Sequence, residues 1–287
     1  MSIFIVGCGY LGERVAREIS SLGVSTHALT RQKERAQQFQ QYGWHPHLGD
    51  WTQRESLNSL PVVDTLLIAV THRALDNVPA VLTHVSGLQN LFQQLPHIPA
   101  RIVYISTTGV YAQDDGSWVD EESVCAPTRP GGIAALAAEC WLRERFSPDQ
   151  LTILRMAGLY GPQRVPNAER MRLKIALSNN DQSFLNLIHI DDAVGYSLEA
   201  LTQPHPLPLY LVSDGHPIPR AQYYQFLAEL LQLETDTTVA EPVSAITPPR
   251  RSESNKRINC GKLREHFAYR CQYDDFRQGV RASLREP

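Results

Sequence analysis

The first half of the chain alternates between short apolar runs and longer stretches in which apolar residues recur at helical spacing. The apolar runs have the length and composition of strands that are buried on both faces of a parallel sheet. They cover residues 2–6, 24–30, 46–50, 65–70, 101–106 and 151–156. The helical stretches between them cover residues 14–22, 32–42, 78–95 and 134–145. This order predicts an α/β fold with a doubly wound parallel sheet, whose ligand crevice lies at the carboxyl ends of the strands.

A glycine pattern, Gly7-x-Gly9-x-x-Gly12, closes the first predicted strand and opens the first predicted helix. In this context the glycines allow a tight turn, a close approach of the backbone to a pyrophosphate, and close packing of helix on strand. The N-terminus of the helix also favours an anion. The pattern predicts a Rossmann-like dinucleotide-binding unit, and a glycine-bearing turn without a ligand is the alternative. The predicted cofactor contacts are Gly7, Gly9, Tyr10, Leu11 and Gly12.

The end of the second strand usually distinguishes NAD from NADP, because a carboxylate there binds the ribose 2′-hydroxyl of NAD. This chain has Thr30 and Arg31 instead, and Arg31 follows Gly12 by nineteen residues (31 − 12). An arginine can pair with the 2′-phosphate of NADP and stack on the adenine. We therefore expect NADP as the cofactor, with NAD possible. A solvated arginine at a strand end is the alternative interpretation of Arg31.

Two further strand ends carry polar residues that would face the cofactor. Asp50 follows the third strand, where its carboxylate either accepts a hydrogen bond from the adenine amino group or caps a helix. Thr71 and His72 follow the fourth strand, where the backbone and short side chains would line the cofactor. His72 is equally consistent with an exposed loop residue.

The alternation weakens after Gly161. Residues 162–180 look like an excursion from the sheet, and 241–254 form a proline-rich loop. Helical spacing returns at 191–201, at 220–231 and around Phe276, with one more strand at 208–212. We expect a Rossmann dinucleotide-binding domain at residues 1–161. Residues 162–287 would form a mixed C-terminal part, a small substrate lobe with some segments returning to the sheet domain.

Composition narrows the classes of partner. The chain has 27 basic and 30 acidic side chains, a formal net charge of −3, and its scattered basic residues argue against nucleic acid. No apolar run approaches the roughly 18 residues of a membrane span. Five cysteines without a Cys-x-x-Cys pair argue against a disulfide framework or a zinc site, and favour a cytoplasmic location. No metal site is expected, because His45 and His47 have too few partners.

Five further motifs follow the glycine loop in order. They are Val-Tyr-Ile-Ser-Thr-Thr-Gly-Val-Tyr at 103–111, Val-Asp-Glu at 119–121, Leu-Arg-Met-Ala-Gly-Leu-Tyr-Gly-Pro at 154–162, Ile-His-Ile-Asp-Asp-Ala at 188–193 and Asn-Lys-Arg-Ile at 255–258. With the glycine loop they resemble the extended short-chain dehydrogenases/reductases, the NAD-dependent epimerase/dehydratase group. The last motif resembles an uncharacterised subgroup. The resemblance implies an NAD(P) cofactor and a small-molecule substrate, and it allows a homodimer formed through the helices at 78–95 and 134–145.

The resemblance also suggests catalytic residues at the end of the fifth strand. Thr107 matches the Ser/Thr that hydrogen-bonds the substrate oxygen, and Ser106 and Thr108 are neighbours that could replace it. The alternative is that Thr107 caps a turn. Tyr111, beside the same strand end, is a second candidate for contact with the substrate oxygen and for proton transfer.

The chain departs from the family at the catalytic pair. In the family a Tyr-x-x-x-Lys pair begins the next helix, where the tyrosine is the general acid/base and the lysine lowers its pKa. Here these positions are Gly131 and Ala135, so both members are missing, and Arg129 is the nearby cation. His189 could transfer protons instead. We favour a structural role for His189, next to an acidic pair that starts a helix.

Two functions are consistent with this sequence. One is an atypical NADP-dependent oxidoreductase or isomerase acting on a small carbonyl or sugar-type substrate. The other is a catalytically inactive NAD(P)-binding protein with a regulatory or structural role, as expected if the catalytic pair is lost. Arginines that point into the crevice would favour an anionic or nucleotide-linked substrate. The candidates are Arg164, Arg170 and Arg172.

Overall fold

The computed structural model describes residues 1–71, 79–173, 182–232 and 254–285. Its strands, in chain order, are β1 (Ser2–Val6), β2 (Ser25–Thr30), β3 (His45–Leu48), β4 (Thr65–Ile68), β5 (Arg101–Thr107), β6 (Ser117–Val119), β7 (Leu151–Met156), β8 (Gly158–Tyr160), β9 (Phe184–Leu185), β10 (Leu187–His189), β11 (Leu209–Val212), β12 (Ile218–Pro219) and β13 (Lys256–Ile258). Its helices are α1 (Gly12–Ser21), α2 (Lys33–Gln41), α3 (Ala80–Gln94), α4 (Pro130–Arg143), α5 (Ala168–Arg172), α6 (Ile190–Thr202), α7 (Arg220–Leu230), α8 (Gly261–His266) and α9 (Phe276–Arg285).

Seven strands form one sheet in the order β11-β7-β5-β4-β1-β2-β3. Every neighbouring pair in it is parallel. From β1 the chain first moves outward through β2 and β3, and then returns to the other side of β1 with β4. The order therefore reverses between β1 and β4, which is where the ligand crevice of such a sheet lies. The predicted doubly wound parallel sheet is confirmed.

Alternate residues of β1 enter two different apolar layers, as a strand covered on both faces requires. Ile3 and Ile5 pack with Val15 and Ile19 of α1 on one face. Phe4 and Val6 pack on the other face, with apolar residues of α3 and α4 that include Leu88, Leu91 and Leu142. Because helices cover both faces of the sheet, a ligand can reach the strands only at their ends.

Many predicted boundaries differ from the structure by one or two residues, and the differences at β3, β4 and α4 bear on the site. β3 ends at Leu48 rather than at Asp50, because Asp50 accepts a hydrogen bond from the backbone N–H of Thr52 and starts a turn. β4 ends at Ile68 rather than at Val70, where the chain turns toward the glycine loop. Helix α4 begins at Pro130, four residues before the predicted start, because proline fits the first helical position, whose N–H has no partner in the helix.

The chain after residue 161 belongs partly to the sheet and partly to a separate cluster. Strand β11 extends the sheet next to β7, and α6 packs against α1. Three short pairs lie outside the sheet: β8 with β10, β9 with β12, and β6 with β13. A third apolar cluster, which includes Tyr160, Tyr223 and Phe276, supports this lobe. The boundary at residue 161 stays a prediction. Among the residues described, no helix is long and apolar enough to cross a membrane.

Candidate functional site: the crevice at the strand ends

The glycine loop is held tightly against the end of β4. Gly7 has a φ of 95°, and a Cβ there would lie 2.5 Å from the carbonyl carbon of Ala69. A Cβ on Gly12 would lie 2.4 Å from the carbonyl oxygen of Gly7. Larger residues would therefore open the contact between β1, β4 and α1, so the predicted roles of Gly7 and Gly12 in the turn and in packing have a steric basis.

Gly9 differs from these two glycines because no atom lies within 4 Å of the position that its Cβ would take. The space faces the start of α1, where the N-cap residue Leu11 provides no side-chain hydrogen bond. Of the N–H groups in the first turn of α1, that of Glu13 donates to the carbonyl oxygen of Gly9 at 2.9 Å, so an anion would use those of Gly12 and Arg14. An open surface at Gly9 next to such a helix end fits the pyrophosphate of a dinucleotide.

Arg31 and Asp50 lie together at the end of β2. Nη1 of Arg31 is 3.3 Å from Oδ2 of Asp50, and 61% of the Arg31 side chain is exposed. Oδ1 of Asp50 accepts hydrogen bonds from the backbone N–H and the hydroxyl of Thr52, at 2.9 and 2.8 Å. Burial opposes ionisation of Asp50, but the hydrogen bonds from Thr52 and Arg31 outweigh it and hold the pKa of the carboxyl below its ordinary value. Asp50 therefore caps a turn rather than a helix, and it orients Arg31.

A second cation at the glycine loop, Arg35, was not predicted. Its Nη2 donates to the carbonyl oxygen of Cys8 at 3.1 Å and to Oε2 of Glu13 at 2.7 Å. The polar sequence of α2 predicts only an exposed helix, and nothing in its spacing shows that Arg35 turns back to the loop. Arg31 and Arg35 thus place two guanidinium groups near the loop that would hold the cofactor.

Thr71, the last residue described before position 79, lies at the exposed end of this crevice. Its carbonyl oxygen is 3.0 Å from Nε2 of the buried His84, which fixes the backbone beyond β4. His72 lies outside the described residues. The predicted contact between Thr71 and the cofactor stays a prediction.

The side chain of Tyr10 connects the glycine loop to the segment after β8. Its hydroxyl donates to the carbonyl oxygen of Pro162 at 3.0 Å. The guanidinium groups of Arg14 and Arg164 lie 4.3 and 5.3 Å from the centre of its ring. All three predicted arginines, Arg164, Arg170 and Arg172, are exposed, and Arg164 is the one that contacts Tyr10 of the glycine loop.

Thr107 ends β5 at the same edge of the sheet. Its Oγ1 accepts a hydrogen bond of 3.0 Å from the backbone N–H of Gly109 and so begins a short 3₁₀ turn. This is the capping role that the sequence offered as an alternative. The contact does not use the hydroxyl proton of Thr107, so capping and contact with a substrate oxygen are compatible.

Tyr111 is nearly fully buried and its hydroxyl has two partners in the protein. It accepts a hydrogen bond from Nη1 of Arg155 at 2.6 Å and donates one to the carbonyl oxygen of Asp120 at 2.7 Å. Burial raises the pKa of Tyr111 despite the nearby Arg155. Tyr111 could reach a substrate only if this network opened, so its catalytic role stays a prediction that the geometry does not favour.

Behind Tyr111 lies a buried ion pair that the sequence did not reveal. Arg155 of β7 donates from Nε and Nη2 to the two carboxylate oxygens of Glu139 of α4, at 3.0 and 2.6 Å. Oγ of Ser106 donates to the same carboxylate at 2.5 Å. Both charged side chains are almost inaccessible to solvent, at 2% and 0% exposure. The sequence did contain a signal for this pair: an arginine within an apolar strand and a glutamate within an alanine-rich helix both need partners when they are buried.

The order of these elements and motifs agrees with a known family. The sequence model of the NAD-dependent epimerase/dehydratase family matches residues 3–208. The chain belongs to this family.

Among curated relatives, the chain is 27% identical over 150 residues to dTDP-D-glucose 4,6-dehydratase of Mus musculus. That match covers 48% of this chain and 41% of the mouse protein, so it spans about two fifths of that relative. UDP-glucose 4-epimerase of Thermotoga maritima, solved with UDP-glucose, has a TM-score of 0.79 at 18% identity, covering 99% of this chain and 98% of that one. dTDP-glucose 4,6-dehydratase of Bacillus anthracis, solved with NAD, has a TM-score of 0.74 at 16% identity, and the match covers 99% of this chain and 96% of that one. At these identities the structures share the fold.

The structure explains why α4 lacks the catalytic pair of the epimerase/dehydratase family. Ala135, at the lysine position, is fully buried in a cluster with Val110, Tyr111 and Ile258. One turn earlier, a Cβ on Gly132 would lie 2.3 Å from the carbonyl oxygen of Gly109. The small residues of α4 therefore allow close packing on the turn after β5, and a lysine at position 135 would have no space.

His189 has the structural role that the sequence favoured. It is 1% exposed, and its Nδ1 accepts a hydrogen bond of 3.3 Å from the backbone N–H of Asp191, which caps α6. Its Nε2 is 3.2 Å from Oγ of Ser283 on α9. The next carboxylate, Asp192, is also buried and accepts a hydrogen bond from the hydroxyl of Tyr269. This geometry places both residues in the packing of α6.

Proposed function

We propose that this member of the NAD-dependent epimerase/dehydratase family binds NADP and acts as an atypical oxidoreductase or isomerase on a small carbonyl or sugar-type substrate. The observation that carries the proposal is the open surface at Gly9 beside the uncapped N-terminus of α1. In the proposed complex, the loop from Gly7 to Gly12 binds the pyrophosphate through its backbone. The nicotinamide, when bound, supplies or accepts a hydride.

The choice of NADP rests on charge at the end of β2. A carboxylate there would repel a 2′-phosphate, and this chain has Thr30 and Arg31 at that place. The ion pair with Asp50 holds Arg31 at the strand end, and its exposed guanidinium keeps further N–H donors for a phosphate. Arg35 lies at the glycine loop, but its charge is paired with the carboxylate of Glu13 at 2.7 Å, so the choice of cofactor rests on Arg31. We assign Asp50 to the orientation of Arg31, and its contact with the adenine stays a prediction.

The substrate would bind above the end of β5. The hydroxyl of Thr107 is the donor that we assign to the substrate oxygen. Arg164, stacked on Tyr10, lies where the glycine loop meets the segment after β8 and could bind an anionic group. This position favours a substrate that carries a phosphate, such as a nucleoside-diphosphate sugar, over a neutral carbonyl compound.

The alternative function, a binding protein without turnover, would account for the loss of both members of the catalytic pair. Its distinguishing outcome is cofactor binding without any change in the redox state of the cofactor. The proposed homodimer, with α3 and α4 at its interface, and the cytoplasmic location stay predictions.

A fluorescence titration of the purified protein with NADPH and NADH tests the proposed function. We expect saturable binding with NADPH bound more tightly. Absorbance at 340 nm, recorded after UDP-glucose or dTDP-glucose is added to the NADP⁺ complex, detects net oxidation, and chromatography of the sugar nucleotides detects an isomerisation that returns the hydride to its product. Absence of binding for both cofactors would contradict the proposal. Binding without turnover on a wider range of sugar nucleotides and carbonyl compounds would favour the alternative.

A further inference from the structure

Lys256 lies in a segment that is fixed from two sides. It begins β13, which pairs with β6 so that Lys256 is opposite Ser117. The side chain of Asn186 donates to the carbonyl oxygen of Lys256 at 2.9 Å and accepts from the backbone N–H of Ile258 at 2.8 Å. These contacts leave the backbone of Lys256 little freedom, so the position of its side chain is a property of the fold.

The ammonium group of Lys256 is buried, and no carboxylate of the described residues pairs with it. The residue is 7% exposed, and its Nζ donates to the carbonyl oxygen of Tyr111 at 3.1 Å and to Oγ of Ser254 at 2.5 Å. Within the described part of the chain no carboxylate contributes to its electrostatics, and the charged group that does so is another cation, Arg129. Burial, followed by Arg129, lowers the pKa of Lys256 to about 8.

An ammonium group has three N–H donors, and the described residues supply two acceptors. A buried charge with only neutral partners is costly, and it is usually found where a ligand or a reaction needs it. The neighbours of Lys256 from other elements, Ser117, Tyr111 and Asn186, are neutral, and the phenol of Tyr111 is bound to Arg155 instead. Two of the three N–H donors of Nζ thus have an acceptor among the described residues, and the third is available to a ligand.

The contacts of Lys256 converge on the region where the family pair is missing. Tyr111, whose carbonyl it binds, follows Thr107 by four residues through the 3₁₀ turn. Arg129 is the N-cap of α4, two residues before Gly131. Ile258, two residues after Lys256, packs with the buried Ala135. Lys256 therefore lies close to the segment that joins the end of β5 to the start of α4.

We propose that Lys256 is the proton-transferring residue of this site, with its ammonium group bound to the substrate oxygen between the end of β5 and the start of α4. This rests on the proposed function. For reduction of a carbonyl, Lys256 gives one proton to the oxygen while the carbon receives the hydride of the reduced dinucleotide, which leaves an alcohol and a neutral amine. In the oxidising direction the neutral amine takes the hydroxyl proton as the C–H electron pair leaves the carbon. A group that titrates close to neutral pH suits both directions.

The test compares two complexes that differ by one positive charge on the nicotinamide, the NADP⁺ and NADPH complexes. The protein is labelled with ¹³C,¹⁵N-lysine, and the side-chain signal of Lys256 is followed by NMR as the pH is changed. If Nζ lies beside the nicotinamide site, we expect its pKa to be lower in the NADP⁺ complex than in the NADPH complex by about one unit or more. Lys262 of α8 is the matched control. Its side chain is 38% exposed and pairs with Glu122, and it should titrate identically in both complexes.

The signal of Lys256 is assigned by its absence from Lys256→Met, or from Lys256→Arg if methionine at this buried position prevents folding. Binding of each cofactor is verified by fluorescence in the same samples. An equal pKa of Lys256 in the two saturated complexes would overturn the role of Lys256 and leave the proposed cofactor site standing. Failure of both cofactors to bind would overturn the proposed function and this inference together.

Discussion

The two sides of the crevice use their polar groups in opposite ways. At the glycine loop, Gly9 leaves open space beside the start of α1, where the N-cap residue Leu11 makes no side-chain hydrogen bond. At the end of β5, Ser106, Tyr111, Glu139 and Arg155 satisfy one another in a buried network. The first side is shaped for a ligand, and the second is shaped for stability.

Under the proposed function, this difference would separate dinucleotide binding from proton transfer within one fold. The residues that hold a dinucleotide are mostly backbone and glycine, so they persist while the side chains around α4 are replaced. A site of this kind can keep its cofactor and still need a new proton donor. The contrast predicts that substitutions on one side change ligand affinity and leave stability alone, while those on the other side do the reverse.

The largest effect is a loss of unfolding free energy, which we expect for Arg155→Met in the buried network at the end of β5. The substitution leaves the carboxylate of Glu139 buried without its bidentate partner, and breaking such a pair costs about 3–5 kcal/mol of unfolding free energy. Urea denaturation measures the loss. Arg143→Met is the matched control, because Arg143 also contacts Glu139, at 3.3 Å, but is 41% exposed and should cost less than about 1 kcal/mol. Equal losses in the two variants would show that the network does not stabilise this side.

Gly9→Val should have the opposite effect. The valine side chain fills the open space at the loop, so NADPH affinity should fall by about 100-fold or more, equivalent to about 2.7 kcal/mol. The melting temperature should change little, since no atom lies within 4 Å of the new Cβ. Gly9→Ala, with a smaller side chain, should lose less affinity. Unchanged NADPH affinity in Gly9→Val would remove the assigned cofactor site.

Arg31→Ala tests whether Arg31 distinguishes NADPH from NADH. Loss of the guanidinium should weaken NADPH by roughly 10-fold, because a charged hydrogen bond to the 2′-phosphate contributes about 1.4 kcal/mol or more. NADH, without that phosphate, should change by less than about 2-fold. The exposed Arg54 provides the control variant, Arg54→Ala, which should leave both affinities unchanged. Parallel losses for NADPH and NADH would contradict the assignment of Arg31 to cofactor choice.

The smallest effect is a pH dependence of stability, which we expect from a cluster of histidines on β2 and β3. Nδ1 of His27 on β2 is 3.0 Å from Nε2 of His47 on β3. Burial, and then the neighbouring His47 and His45, lower the pKa of His27 to about 4. Protonation therefore opposes folding, so the contribution of neutral His27 is complete above about pH 6.5 and is lost as the pH falls toward 4.

Thermal unfolding at pH 7.5 and pH 4.5 measures this contribution. The melting temperature of the parent protein should fall over this interval by about 2–4 °C more than that of His27→Gln. His97→Gln, at an exposed histidine, should follow the parent protein. A parent protein and His27→Gln with the same fall would mean that His27 does not carry the pH dependence.

The sequence predicts well the features that depend on neighbouring residues. The apolar runs locate the sheet strands because a parallel strand covered on both faces needs an unbroken apolar run, and the glycine loop is contained within six residues, Gly7 to Gly12. The start of α4 was predicted late, although Pro130 was a signal for the first helical position.

The features that the sequence did not predict depend on contacts between distant segments. Glu139 of α4 pairs with Arg155 of β7, and Lys256 donates a hydrogen bond to the carbonyl oxygen of Tyr111, which is 145 residues away in the sequence. Strands β9 and β12 have two residues each and depend on their pairing, so they show no periodicity of their own. Nothing in the motif at 255–258 indicates that its lysine is buried. Such features follow from the packed fold and not from local pattern.

The burial of Ala135 has a consequence for redesign of the site. Once Val110, Tyr111 and Ile258 have closed over this position, restoring a lysine there by one substitution would force a long cation into a filled core. A tyrosine at position 131 alone would lack the lysine that tunes it. Introducing the pair into this chain would thus require changes at several packed positions together, and the packing of one alanine limits how the site can be redesigned.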